Sequence, residues 1–321
     1  KVCCTPMCSV SRTTSLVAAM ERGEPRAIVR AIARALSISW ARGTTALRAP
    51  GPSRDHTEKM FASMGVAVRE NPGEHYVAVT GPAAPRPIEL TVPGDFSSAA
   101  FFIVAGLLAA EEGLLIRNVG MNPTRIGLLT ILRQMGARIE ARSERLVGAE
   151  PVADLLVHRS ALQGIEVPPE LVPLAIDEFP ILFIAALGAA GTTVVRGAEE
   201  LRTKESDRIA VMAEGMRALG AHVEEAPGGL TIACAKLNGG TIDSRGDHRI
   251  AMSFAVASLL ASGPVEILNT AEVATSFPDF IDVATAAGLV IVSGGRIWAP
   301  AARPWSRSTG RAGPARARSA G

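Results

Sequence analysis

The segment RTKESDR, Arg202 to Arg208, packs three cations and two acids into seven residues just ahead of an amphipathic pattern. The start of a helix offers unpaired backbone N–H groups and positive potential, which suit phosphate and carboxylate anions. Lys204 and Arg208 are four apart, so on a helix they would share a face. Glu205 beside them is a candidate general acid, provided burial raises its pKa. An equally weighted reading is a capped helix start, with Asp207 and Glu205 offsetting the dipole amid surface ion pairs. The triplet DHR, Asp247 to Arg249, stands at the mouth of a strongly apolar stretch. Arg249 has the planar fork that grips carboxylate or phosphate, and His248 can assist it. Here too a simpler account is available, with Asp247 as a cap and Arg249 paired to a neighbouring unit. IDEFP sets Asp177 and Glu178 at a similar entry, where a carboxylate can accept a hydroxyl proton or simply cap a helix. RDHTEK supplies Arg54, NPTR supplies Arg125, and GDFSS reads as a cap.

These charges recur because the elements beneath them recur. One part of the unit is an amphipathic helix closed by a glycine and followed by a short apolar strand. It appears as DHTEKMFASMG-VAVRE, TRIGLLTILRQMG-ARIE, SDRIAVMAEGMRALG-AHVEE and PDFIDVATAAG-LVIV. Gly65, Gly136, Gly220 and Gly288 close the four copies, where one residue at positive φ commonly ends a helix. The other part is a helix that is apolar nearly all round, entered through an aspartate: GDFSSAAFFIVAGLLAAEEG, IDEFPILFIAALGAAG and GDHRIAMSFAVASLLASG. Such helices are buried on most faces. The unit therefore reads β-α-β-α-β-β, and three copies fill roughly residues 94–293. The fold class is α/β or α+β with mixed sheets, buried helices inside and sheets outside.

The overall balance hides a division. The 321 residues carry a formal charge of +2, with 48% hydrophobic and 4% aromatic residues. Residues 1–40 hold six basic and two acidic residues, and 296–321 hold six arginines and no acid. The middle is therefore net −8, from 33 − 12 = 21 basic and 31 − 2 = 29 acidic residues. No run is long and apolar enough for a membrane span, so the chain is expected to be soluble. Cys3, Cys4, Cys8 and Cys234 form no repeating pair pattern and suggest neither a zinc site nor a disulfide framework. The basic tail finds no companion motif for nucleic acid. Residues 1–40 are expected to be non-homologous, poorly ordered or read out of frame, and 294–321 a disordered tail.

Taken in order, RDHTEK, VPGDFSSAAFF, MNPTR, IDEFPIL, LRTKESDRI, DHRIAMSF and TSFPDF resemble the 3-phosphoshikimate 1-carboxyvinyltransferase family, from about Ala41 to Val292. RDHTE and NPTR look like motifs of its class II branch. The resemblance implies two inside-out, barrel-like domains of three β-α-β-α-β-β units each. Residues 41–93 would be the last unit of the amino-terminal domain and 94–293 the carboxy-terminal domain. It also implies transfer of the enolpyruvyl group of phosphoenolpyruvate to the 5-hydroxyl of shikimate 3-phosphate, in a monomer and without a cofactor.

By this resemblance Asp177 accepts the hydroxyl proton, Glu205 protonates the methylene carbon of phosphoenolpyruvate, and Lys204 binds the shikimate phosphate near the reacting centre. Arg208 and Arg249 resemble clamps on phosphoenolpyruvate with His248 beside them, and Arg54 a class II arginine facing the shikimate phosphate. Thr275 stands where class I members carry a lysine, and the lysine-loop and SAQ-type motifs are not in this sequence. The chain alone is therefore expected to be inactive or weak. The rival acceptor is UDP-N-acetylglucosamine, whose transferase relies on a reactive cysteine in a mobile loop. Cys234, in the strand-like LTIACAKL, is expected to be buried and inert instead. A remnant domain that binds one anion or none is the non-enzyme alternative.

Overall fold

A computed structural model describes residues 42–49, 51, 53–89, 91–293 and 297–299. The expectations for residues 1–40 lie outside these, as does the tail expected at 294–321 except for 297–299, which form a strand. The described residues divide into two compact units, 42–93 with 146–151, and 94–145 with 152–299.

In the first unit, β1 (Gly43–Arg48), α1 (His56–Ser63), β2 (Val68–Asn71) and β3 (Tyr76–Gly81) form an antiparallel sheet of order β1-β3-β2 with one helix. Phe61, Val66 and Val79 make its small core.

The second unit repeats that scheme three times with a larger core. Its elements are α2 (Phe96–Ala109), β4 (Leu114–Gly120), α3 (Gly127–Gln134), β5 (Arg138–Val147), β6 (Glu150–His158), the single turn α4 (Val172–Ala175) and α5 (Phe179–Leu187). There follow β7 (Thr192–Val194), α6 (Arg208–Ala218), β8 (Val223–Ala226), β9 (Gly229–Ala233), β10 (Gly240–Asp243) and α7 (His248–Ala257). The chain closes with β11 (Val265–Leu268), α8 (Ala271–Ser276), α9 (Phe280–Ala286), β12 (Val292–Ser293) and β13 (Ile297–Ala299). The sheets run β4-β6-β5, β7-β9-β8 and β10-β11-β13-β12. Each therefore places the third antiparallel strand of its unit between the first and the second. The parallel opening strand is complete only in the last copy, as β10 beside β11. In the other two it shrinks to isolated parallel bridges, Gly94 to Val119 in the first and Gln163 to Ala190 and Glu166 to Val194 in the second. The β-α-β-α-β-β unit is thus present three times, in an inside-out arrangement. The last sheet extends beyond residue 293, because β13 pairs with both β11 and β12.

Local chemistry explains the elements. The helices α2, α5 and α7 pack on one another, and every residue of α5 is buried. The aromatic rings of Phe101, Phe102, Phe277 and Phe280 meet at centroid distances near 6 Å, a favourable spacing for tilted and edge-on contacts. The glycines expected to end the amphipathic helices all have positive φ: Gly65 at 79°, Gly136 at 91°, Gly220 at 90° and Gly288 at 102°. The helices α1 and α3 share a length of eight residues. No helix among the described residues is long and apolar enough to cross a membrane.

Candidate functional site

Three helix entries of the second unit converge on Asp177. Asp177 lies in a 3-10 turn, Ile176–Glu178, that feeds directly into α5. A second 3-10 turn, Glu199–Thr203, and an extended Lys204 bring the charged segment toward it. Asp207 caps α6 by accepting from the Ala210 N–H, and Arg202 donates to Asp207 at 2.8 Å, so both ends of the segment are tied down. As a result Lys204 Nζ stands 3.5 Å and Arg208 Nη1 4.0 Å from the same oxygen, Asp177 Oδ1. Arg249, on α7, donates from Nη1 to the main-chain carbonyl of Asp177 at 3.1 Å.

Burial separates permanent from exchangeable partners. Arg208 is 1% exposed and its Nε donates to Asp247 Oδ2 at 2.8 Å, a carboxyl with no exposure at all. Asp247 also accepts from the N–H groups of Arg249 and Ile250, and from Ser206 Oγ. Burial pushes its pKa up, but the hydrogen bonds and charge of Arg208 and the backbone N–H donors outweigh this, and the carboxyl sits below its ordinary value. The outward-facing partners are different. Glu205 accepts from Arg208 and Glu200 from Lys204, each through a carboxylate more than half exposed. Glu178, 3% exposed, lies 3.7 Å from Arg249 Nη1 and accepts from Ser97 Oγ. Burial pushes the Glu178 pKa up, against the opposing pull of Ser97 and Arg249. Burial, then the charge of Arg249, pushes the pKa of His248 down.

Six of the residues singled out from the sequence thus meet at these entries: Asp177, Lys204, Glu205, Arg208, His248 and Arg249. Arg54 is exposed just ahead of α1 in the first unit. Two expectations need correction. Lys204 and Arg208 do not share a helix face, because α6 begins at Arg208; a folded-back loop brings them together around Asp177. Cys234 is exposed rather than buried, because β9 ends at Ala233 and Cys234 stands just past it. The contact between Ser97 and Glu178 was not foreseen, and a sequence separation of 81 gives no local signal for it. Among the described residues no group of three or more His, Cys, Asp or Glu side chains is arranged to hold a metal ion.

The family model described as EPSP synthase (3-phosphoshikimate 1-carboxyvinyltransferase) matches residues 32–284. The chain belongs to the EPSP synthase family. The match begins ahead of the boundary expected at residue 41. A 3-phosphoshikimate 1-carboxyvinyltransferase of Acidithiobacillus ferrooxidans is 53% identical over 252 residues, covering 78% of this chain and 58% of the relative. One from Alkalilimnicola ehrlichii is 50% identical, covering 79% of this chain and 57% of the relative. The chain therefore spans a little over half the length of these EPSP synthases. A solved EPSP synthase from Acinetobacter baumannii superposes with a TM-score of 0.74 at 45% identity, over 78% of this chain and 58% of that one. The enolpyruvyl transferase NikO from Streptomyces tendae, at 21% identity and a TM-score of 0.62, covers 86% of this chain and 61% of its own; it shares the fold.

Proposed function

We propose that this chain carries the catalytic half of an enolpyruvyl transfer from phosphoenolpyruvate to the 5-hydroxyl of shikimate 3-phosphate, a step of aromatic amino-acid biosynthesis. One arrangement supports this most: a carboxylate, Asp177, with a lysine and an arginine against one oxygen and a second arginine on its own carbonyl. The names of relatives at about half identity supply the substrate assignment.

In this reading Arg208 and Arg249 hold phosphoenolpyruvate and Lys204 holds the acceptor's phosphate near it. Fixed cations offset the repulsion between two anionic substrates and align them. The substrate anions replace Glu205 and Glu200 on these cations at small cost, since both carboxylates are largely hydrated. Asp247 stays on Arg208. Glu205 is half exposed rather than buried, so its role as the acid rests on the resemblance: displaced from Arg208 by the substrate anion and protonated from solvent, it gives that proton to the methylene carbon of phosphoenolpyruvate, the acceptor oxygen bonds to the adjacent carbon, and Asp177 takes the hydroxyl proton. Departure of phosphate and return of one methyl proton to a carboxylate restores the double bond. Neutral His248, its pKa lowered by burial and then by Arg249, adds no further charge beside the clamp. The role of Arg54 toward the shikimate phosphate rests on the resemblance alone. A cytoplasmic monomer is the accompanying expectation.

Calorimetry on the purified chain tests this reading. Phosphoenolpyruvate with shikimate 3-phosphate should give measurable heat at millimolar concentration, and Arg249→Met should abolish it. No heat from the parent chain with either ligand would overturn the reading. Phosphate release by this chain alone should be weak, and turnover near that of an intact relative would contradict that part.

A further inference from the structure

Arg249 does not stand alone at the mouth of α7. A continuous line of polar contacts crosses three helix entries behind it. Arg125, in the turn before α3, donates from Nη2 to Ser97 Oγ at 2.7 Å and reaches Asp95 Oδ1 at 3.4 Å. Ser97, in the first turn of α2 and 3% exposed, donates to Glu178 Oε1. The same Glu178 oxygen lies 3.7 Å from Arg249 Nη1, and that nitrogen donates to the carbonyl of Asp177. The direction of the Ser97 proton is fixed by its neighbours. Arg125 has only donors to offer, so the Ser97 oxygen accepts there and its proton turns to Glu178.

We propose that Glu178, oriented by Ser97, is a positioning residue that holds the Arg249 guanidinium and the Asp177 backbone in fixed relation to each other. For the reaction proposed above, this sets the distance between the donor clamp and the group that takes the acceptor's proton. That chemical role rests on the donor-site reading; the positioning itself does not. A clamp displaced by about 1 Å can cost on the order of a hundredfold in rate, so an arginine on a long flexible side chain needs a buried anchor. The carboxyl oxygen supplies one, held on its other side by Ser97 and 3.7 Å from Arg249 Nη1.

The test separates hydrogen-bond anchoring from space filling and from general loosening. The variants are Ser97→Ala, Glu178→Leu and Glu178→Gln, in the full chain. Leucine keeps the volume and loses the acceptor; glutamine keeps the oxygen that both Ser97 and Arg249 approach. Phenylglyoxal modification, followed by mass spectrometry, reads the reactivity of Arg249, with buried Arg208 in the same digest reporting on loosening of the fold. Ser97→Ala and Glu178→Leu should each raise Arg249 modification about tenfold over the parent, leaving Arg208 unchanged, while Glu178→Gln stays within about threefold. Phosphoenolpyruvate affinity, by calorimetry, should fall in the same order. Equal behaviour of Leu and Gln, or Arg249 reactivity that rises only together with Arg208, would overturn the proposal. If the parent chain binds no phosphoenolpyruvate but the protection pattern holds, the donor-site reading fails and the positioning stands.

Discussion

Three buried helices of one repeat begin with an aspartate, yet the three aspartates do two different jobs. At α2, Asp95 accepts from the Ser98 N–H and stays about half exposed. At α7, Asp247 accepts from the Arg249 and Ile250 N–H groups, and is fully buried against Arg208 from the preceding repeat. Both are caps. At α5 the equivalent residue, Asp177, is drawn into a 3-10 turn, the N-cap position passes to Glu178, and no side chain caps the helix. Pro180 at the helix start needs no N–H partner, which lessens the demand for a cap there. The Asp177 carboxyl then meets Lys204 and Arg208 instead. One extra 3-10 turn is enough to change a capping residue into the centre of a cationic cluster.

The sharpest way to break this comparison is at Asp247. Its removal loses a cap and leaves the buried Arg208 charge without its main partner, so Asp247→Ala should destabilise the second unit by about 3–5 kcal/mol in urea unfolding. A double variant that also carries Arg208→Met should recover part of that loss, because removing both charges avoids an unpaired one. A loss near 1 kcal/mol for Asp247→Ala would mean that it is only another cap. Asp95→Ala, by contrast, should cost about 1 kcal/mol, since its cap faces water. If the two losses were equal, the distinction between the entries would fail.

Acid sharpens the comparison in a second way, through two buried carboxyls shifted in opposite directions. The Asp247 pKa is lowered in the fold, so the unfolded chain binds its proton first. Its contribution is complete above about pH 4 and lost as pH falls through the folded value. The Glu178 pKa is raised, so its contribution is present below about pH 4 and lost as pH rises through the folded value. Stability curves of Asp247→Asn and Glu178→Gln, subtracted from that of the parent, should therefore slope with opposite signs. Slopes of the same sign would contradict the assigned environments.

Most of the architecture was legible because its signals are local. Gly136, Gly220 and Gly288 follow amphipathic stretches and end helices at positive φ, as the chain pattern requires. The all-round apolar composition of α5 announced its burial. What sequence could not separate was Asp177 from a cap, because both readings place an acid at a helix entry, and only the 3-10 turn decides between them. The meeting of Lys204 with Arg208 was expected for the wrong reason. Helical spacing does not bring them together; a bend held by Asp207 and Arg202 does. Cys234 was misjudged because an apolar run continued past the last paired residue of β9. The Ser97–Glu178 link joins residues of two different repeats, so no window along the chain contains it.

The smallest expected effect comes from the residue that follows the entry aspartate. Phe96 occupies that place at α2, Glu178 at α5 and His248 at α7, so three side chains of different chemistry share one position in the repeat. Burial and the Arg249 charge both disfavour the imidazolium of His248, while Asp247 and Glu205 oppose them more weakly. Its NMR titration midpoint should therefore lie below the ordinary value of about 6.5. Because the unfolded chain binds this proton first, His248 contributes stability above about pH 6.5 that is lost as the solution is acidified toward the folded value. Arg249→Met removes the second-largest of the three causes, the smallest being the Arg208 charge, and should move the midpoint part of the way back up. A midpoint that does not respond would show that the Arg249 charge does not set it.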